Sequence, residues 1–100
     1  MISLKSEESV VPKDGRGRKE RHAELQALRH AVGSAIRALR SEAKLSQKAL
    51  AERSGLSKSW ISRLESGQHE PTFESIRRLA RGLGISSAEL AKKIEDCEQS

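Results

Sequence analysis

The chain has 100 residues, of which 35% are apolar and 2% aromatic, and it carries a net charge of +5. A core this small rarely holds a buried active site, because its few apolar side chains are all needed for packing, so the composition argues against an enzyme and favours a binding module. Residues 31–85 contain ten Lys and Arg against five Asp and Glu, a balance of +5, as expected of a domain that meets phosphates.

The sequence also bears on compartment. No run approaches the roughly eighteen apolar residues of a membrane span, and the start "MISLKSEES" lacks the apolar stretch of a signal peptide. Cys97 is the only cysteine, so no intrachain disulfide can form. We therefore expect a cytoplasmic protein without membrane association.

Residues 1–18 show neither a helical nor a strand period. They include "PKDGRGRK", in which Pro12, Gly15 and Gly17 would interrupt a helix. We predict a flexible basic arm over residues 1–18.

An amphipathic helix is predicted from about Glu20 onward. Its apolar residues recur every three or four positions, with Gly33 as a weak point: Leu25, Leu28, Val32, Ile36 and Leu39.

Regular capping signals follow. Ser46 can cap "QKALAERS", which ends at Gly55, and Ser57 can cap "KSWISRLES", which is closed by Gly67. Two short helices joined by a tight turn are predicted.

Two further helices complete the chain. Thr72 can cap "FESIRRLARGL", which Gly84 terminates, and "SSAE" at residues 86–89 is a capping box. The last helix carries Leu90, Ile94 and Cys97 along one side, most simply a docking face and alternatively part of a dimer interface. We predict an all-α, five-helix domain over residues 19–95 and a tail over 96–100.

The middle pair of helices has a distinctive spacing. Ala51 is small where the two helices cross, Gly55 permits a very short turn, and Ile61 and Leu64 form the inner face of the second helix. With Gln47 counted as position 1, these residues fall at positions 5, 9, 15 and 18. The spacing directs five residues outward: Ser57, Lys58, Ser59, Ser62 and Arg63.

The stretch "LSQKALAERSGLSKSWISRLESGQHEPTFESIRRLARGLGISSAEL" resembles the helix-turn-helix domain of the Cro and phage-repressor (XRE-type) family. The resemblance extends upstream through "VGSAIRALRSEAKLSQ" and covers roughly residues 30–90. It implies a five-helix, lambda-repressor-like domain that binds operator DNA as a dimer, with the third helix, residues 57–66, in the major groove.

The resemblance also implies residue roles. Gln47 matches a Gln that binds phosphate at the start of the second helix, a position that suits an anion. Base-reading positions match Ser57, Lys58, Ser59 and Arg63, with Ser62 a possible fifth. Lys58 and Arg63 are of the type that donates to guanine O6 and N7. The alternative for this face is a solvated polar surface.

Further phosphate contacts are predicted at Gln68 and His69. Trp60 is either another such contact or, as we favour, a packing residue against the second helix. Arg16 and Arg18 resemble the arginines of arms that enter the minor groove, although a short basic tail is more often simply solvated.

No catalytic or metal-binding pattern is present. His22, His30 and His69 do not combine with Cys97 at a recognised metal spacing, and neither a nucleophile with its base nor a phosphate-binding glycine loop occurs. We predict no enzyme activity, no metal and no cofactor.

The sequence therefore favours a DNA-binding transcriptional regulator that acts as a homodimer on two half-sites about one helical turn apart. One alternative is the antitoxin of a toxin–antitoxin pair, which represses its own operon and has a protein partner. Another is a protein-interaction adaptor that kept the fold, against which Lys58 and Arg63 argue.

Overall fold

The computed structural model describes residues 17–99, which form five helices and no strand. The helices are α1 Gly17–Glu42, α2 Gln47–Ser54, α3 Lys58–Glu65, α4 Phe73–Leu83 and α5 Ser87–Glu98. The predicted all-α, five-helix class is confirmed.

The start of α1 differs from the prediction. The helix begins at Gly17, so Gly17 and Arg18 belong to it and not to the predicted arm, whose other residues, 1–16, lie outside the described range. The first N–H groups of a helix have no partner within it, so a glycine at this end disrupts little. The Gly17 carbonyl also accepts a hydrogen bond from Arg21 Nε at 3.2 Å.

The predicted caps are present. The hydroxyls of Ser46, Ser57, Thr72 and Ser86 each accept a hydrogen bond from the backbone N–H three residues on, at 3.0–3.1 Å. Ser86 N also donates to Glu89 Oε1 at 2.8 Å, which completes the capping box. These local bonds determine where each of the four helices begins.

The helices pack around one core. Its largest fully buried side chains come from all five helices: Ile36, Leu50, Ile61, Leu64, Leu79 and Leu90. The long helix α1 packs against α5 and α3, while α2 packs against α4 and α3. No helix within residues 17–99 has the length and apolar character needed to cross a membrane.

Gly33 lies where the backbones of α1 and α3 meet. A Cβ atom at this position would lie 2.6 Å from the carbonyl oxygens of both Leu64 and Glu65. The residue that reads as a weak point of the helix is therefore what lets α3 pack directly on α1.

Candidate nucleic-acid interface

Helix α3 presents two different faces. Ile61 and Leu64 are fully buried. The five residues predicted to point outward are all exposed: Ser57, Lys58, Ser59, Ser62 and Arg63. The predicted outward set and the two predicted inner residues, Ile61 and Leu64, are therefore confirmed.

Four of those five outward residues line one open groove with Gln47 of α2. The groove has a volume of about 320 Å³ and is lined by Gln47, Lys58, Ser59, Ser62 and Arg63. Ser57 lies beside it as the α3 cap, where its hydroxyl accepts a bond from Trp60 N at 3.0 Å. We call the five lining residues the donor groove, because each side chain can donate a hydrogen bond.

The donor groove is positively charged. Within residues 17–99, neither Lys58 nor Arg63 forms an ion pair, and no carboxylate lines the groove. Two cations and three neutral donors on one surface suit a ligand that presents many acceptor oxygens and nitrogens.

A buried carboxylate, Glu65, contacts Gln47 of the donor groove. Glu65, at the end of α3, is 7% exposed. Its Oε2 accepts from Arg40 Nε at 2.7 Å, and its Oε1 accepts from Arg40 Nη2 and Gln47 Nε2, both at 3.0 Å. Arg37 lies 3.7 Å away. Glu65 thereby joins α1, α2 and α3, and it contacts the donor groove through Gln47.

The pKa of Glu65 reflects these contacts. Burial raises it, but the hydrogen bonds from Arg40 and Gln47, with the charges of Arg40 and Arg37, lower it further, so the pKa lies below its ordinary value. The same hydrogen bond raises the pKa of Arg40. The pair is therefore ionised at neutral pH.

Sequence reasoning missed Glu65, although a signal was available. Glu65 stands four residues after Ile61 and one after Leu64, so helical periodicity places it on the buried face of α3. A carboxylate there needs a cationic partner. The contact with Glu65 also means that the Gln47 amide, predicted to bind phosphate, already uses one of its two N–H groups within the protein.

Trp60 lies outside the donor groove. It packs against the core, and its ring stacks on that of His69, with centroids 5.9 Å apart and planes inclined by 27°. This agrees with the packing role that the sequence favoured. Trp60 borders a separate small cavity whose charged lining residues are Glu70, Glu74 and Arg78, and Arg78 pairs there with Glu74 at 2.9 Å.

The other candidates are dispersed. Gln68 is exposed and His69 half-buried, in the loop after α3, and neither lines the donor groove. Arg18 is exposed in the first turn of α1, whereas Arg16 lies outside the described residues. Among residues 17–99, no three His, Cys, Asp or Glu side chains come together where they could hold a metal ion.

Comparison with known proteins supports the same region. The family described as "Helix-turn-helix domain" matches residues 31–92. The chain is 38% identical over 69 residues to the HTH-type transcriptional regulator y4dJ of Sinorhizobium fredii, covering 69% of this chain and 90% of that protein. It is 39% identical over 54 residues to the immunity repressor protein of Bacillus phage phi105, covering 54% of this chain and 38% of the repressor.

Solved structures resemble the fold. The clp gene regulator ClgR from Corynebacterium glutamicum superposes with a TM-score of 0.68 at 30% identity, over 72% of this chain and 77% of ClgR. The restriction-modification controller protein C.Esp1396I superposes with a TM-score of 0.68 at 25% identity, over 73% of this chain and 96% of that protein.

Proposed function

Because this chain belongs to the helix-turn-helix domain family, we propose that it is a transcriptional regulator that binds a specific double-stranded DNA sequence as a homodimer. Similar proteins are named as transcriptional regulators, a phage immunity repressor and a controller protein, which supports this role. DNA as the partner fits a cytoplasmic location.

The donor groove carries the proposal. A single α-helix fits the major groove of B-DNA, where guanine presents two acceptors, O6 and N7. Lys58 and Arg63 are exposed, cationic and unpaired within the described residues, so they can donate to such acceptors without breaking a contact in the protein. We assign base contacts to Lys58, Ser59, Ser62 and Arg63, with Ser57 at the edge.

Phosphate contacts complete the proposed site. Gln47 lines the donor groove and uses one of its two amide N–H groups on Glu65, while Gln68 and His69 follow α3 in the adjoining loop. The hydrogen bond from Gln47 to Glu65 fixes the orientation of the Gln47 amide. A contact with the DNA backbone would therefore cost this side chain little conformational freedom.

The antitoxin alternative shares this DNA contact and adds a protein partner. The adaptor alternative predicts that DNA binding has been lost, and the uncompensated charge of the donor groove argues against it.

The test is selection of binding sites from a random DNA pool, followed by affinity measurements on the selected site and on random DNA. Arg63→Ala should weaken binding to the selected site by about 1–3 kcal/mol and binding to random DNA much less. Arg77→Ala is the matched control, because Arg77 is exposed on α4 and does not line the donor groove.

The outcomes separate the hypotheses. An equal loss of affinity for the selected site and for random DNA would show that Arg63 contacts only the DNA backbone. Failure to enrich any sequence would favour the adaptor, and a toxic enzyme that co-purifies with the chain would favour the antitoxin.

A further inference from the structure

The residues that α3 contributes to the donor groove are ordered by size around the helix. At about 100° per residue, and counting from Lys58, the other three lie at roughly 40°, 100° and 140°: Ser62, Ser59 and Arg63. All four are exposed. Two long cationic side chains therefore lie at the edges of this face of α3, and two short hydroxyl side chains lie at its centre.

The buried side of α3 fixes the direction of this face. Ile61 and Leu64 are fully buried and lie at roughly 300° and 240° on the same scale. Their midpoint, about 270°, is within roughly 20° of being opposite the centre of the exposed face, about 70°. The serines therefore occupy the part of α3 farthest from the core, where a ligand can approach the helix most closely.

Different parts of the protein flank the two cations. Glu65 lies only about 20° around α3 from Lys58, and it accepts the hydrogen bond from Gln47 at 3.0 Å. Trp60 lies about 60° beyond the second cation, and its ring stacks on that of His69. The proposed phosphate contacts at Gln47 and His69 thus lie on opposite sides of α3, as the two backbones of a DNA groove do.

The two kinds of side chain discriminate bases differently. A serine hydroxyl both donates and accepts hydrogen bonds, so Ser59 and Ser62 fit any base and discriminate little. Lys58 and Arg63 only donate, and guanine is the base that presents two adjacent acceptors, O6 and N7, in the major groove. The sequence preference of α3 therefore depends mainly on its two cations.

The positions of the two cations on α3 predict how their contacts are arranged on DNA. Because they lie about 140° apart around the helix, they point toward opposite walls of a major groove whose floor faces the serines. Each wall is the backbone of one strand, so the cations reach purines of opposite strands. Lys58 and Arg63 are also separated by roughly 7.5 Å along α3, or about two steps of 3.4 Å between base pairs.

We propose that the half-site contacted by α3 contains two G·C pairs about two base pairs apart, with one guanine on each strand, and that Lys58 binds one guanine and Arg63 the other. Ser59 and Ser62 lie over the base pairs between these contacts, where their small size lets α3 approach the base edges. This inference rests on the proposed function and names the kind of sequence that the donor groove reads.

The first test repeats the selection from a random DNA pool with the wild type, Lys58→Ala and Arg63→Ala. The wild-type half-site should contain both guanines, and each variant should lose the preference for one of them by about 5- to 150-fold, equivalent to about 1–3 kcal/mol. Arg77→Ala, exposed and outside the donor groove, should keep both preferences. Circular dichroism should show unchanged helix content, since the three replaced side chains are exposed.

A second test leaves the wild-type protein unchanged and alters the DNA. Replacing a guanine with 7-deazaguanine removes its N7 acceptor and should weaken binding about tenfold at either position. At one guanine, this loss should disappear in Arg63→Ala and persist in Lys58→Ala. At the guanine on the other strand, the dependence on the two variants should be reversed.

The results distinguish this inference from the proposed function. An enriched half-site that lacks guanine, or whose two contacted guanines lie on one strand, would overturn the inference and still support specific DNA binding. In Lys58→Ala, an equal loss of affinity for the selected site and for random DNA would place Lys58 on a phosphate and overturn the inference as well. Failure to enrich any sequence would overturn both.

Discussion

Replacing Gly33 with alanine should change the free energy of unfolding, and helix propensity and tertiary packing predict opposite signs for that change. In the middle of an exposed helix, Gly→Ala stabilises by about 1 kcal/mol. At Gly33, the new Cβ atom would meet two backbone carbonyl oxygens at 2.6 Å, where ordinary contacts begin at 3.4 Å. Neither oxygen belongs to a flexible side chain, so α1 and α3 must move apart.

The magnitude follows from these two terms. Relieving the contact requires a shift of about 0.8 Å, the difference between 3.4 and 2.6 Å, and overpacking of this kind costs about 1–3 kcal/mol. Because both contacts involve backbone, we take the upper end and subtract the helix-propensity gain of about 1 kcal/mol. The expected net loss is about 2 kcal/mol, which lowers the Tm of a domain of this size by roughly 8–16 °C.

Urea unfolding followed by the fluorescence of Trp60 measures this loss. Ser34→Ala is the control, because the neighbouring Ser34 is exposed and its replacement should change the free energy of unfolding by no more than about 0.5 kcal/mol. If Gly33→Ala proved as stable as the wild type, or more stable, the close approach of α1 and α3 would be wrong.

Three further predictions concern the buried carboxylate, a cap and the arm. Glu65→Gln should lower the free energy of unfolding at pH 7 by about 1.5–3 kcal/mol, because Arg40 loses its charged acceptor. Since the fold lowers the pKa of Glu65, its contribution is present above the ordinary Glu pKa of about 4.3 and is lost as the pH falls further, so the urea midpoints of wild type and variant should converge in acid. Ser86→Ala should cost about 1 kcal/mol in thermal unfolding through loss of the capping box, and no change would show that α5 begins without it. Deleting residues 1–16 should flatten the salt dependence of DNA affinity if arginines such as Arg16 contact phosphates, and an unchanged slope would end the arm hypothesis.

Much of the fold was predictable because its signals are local. Each cap is a hydrogen bond between a hydroxyl and a backbone N–H three residues away, so Ser46, Ser57, Thr72 and Ser86 could be read directly. The exposed set on α3 followed from the helical period once Ile61 and Leu64 were taken as buried.

The end of α1 shows where local signals fail. Lys44 adopts the left-handed conformation, with φ of 59°, in the turn after α1, where a glycine is usual. The backbone bond from Leu45 N to Arg40 O, 3.0 Å long, closes this turn, and nothing in the residue types announces it.

The sequence by itself determined the order of five helices, the caps of α2 to α5 and the side chains that α3 presents. Tertiary structure alone decided that Glu65 pairs with Arg40, 25 residues away, and accepts a hydrogen bond from Gln47. It also decided that α3 packs closely on α1 at Gly33 and that Leu25 and Leu28 stay exposed. The physical reason is the distance along the chain between the residues that interact. Capping and periodicity depend on neighbours within a turn or two, whereas burial and ion pairing depend on how far one helix extends along another.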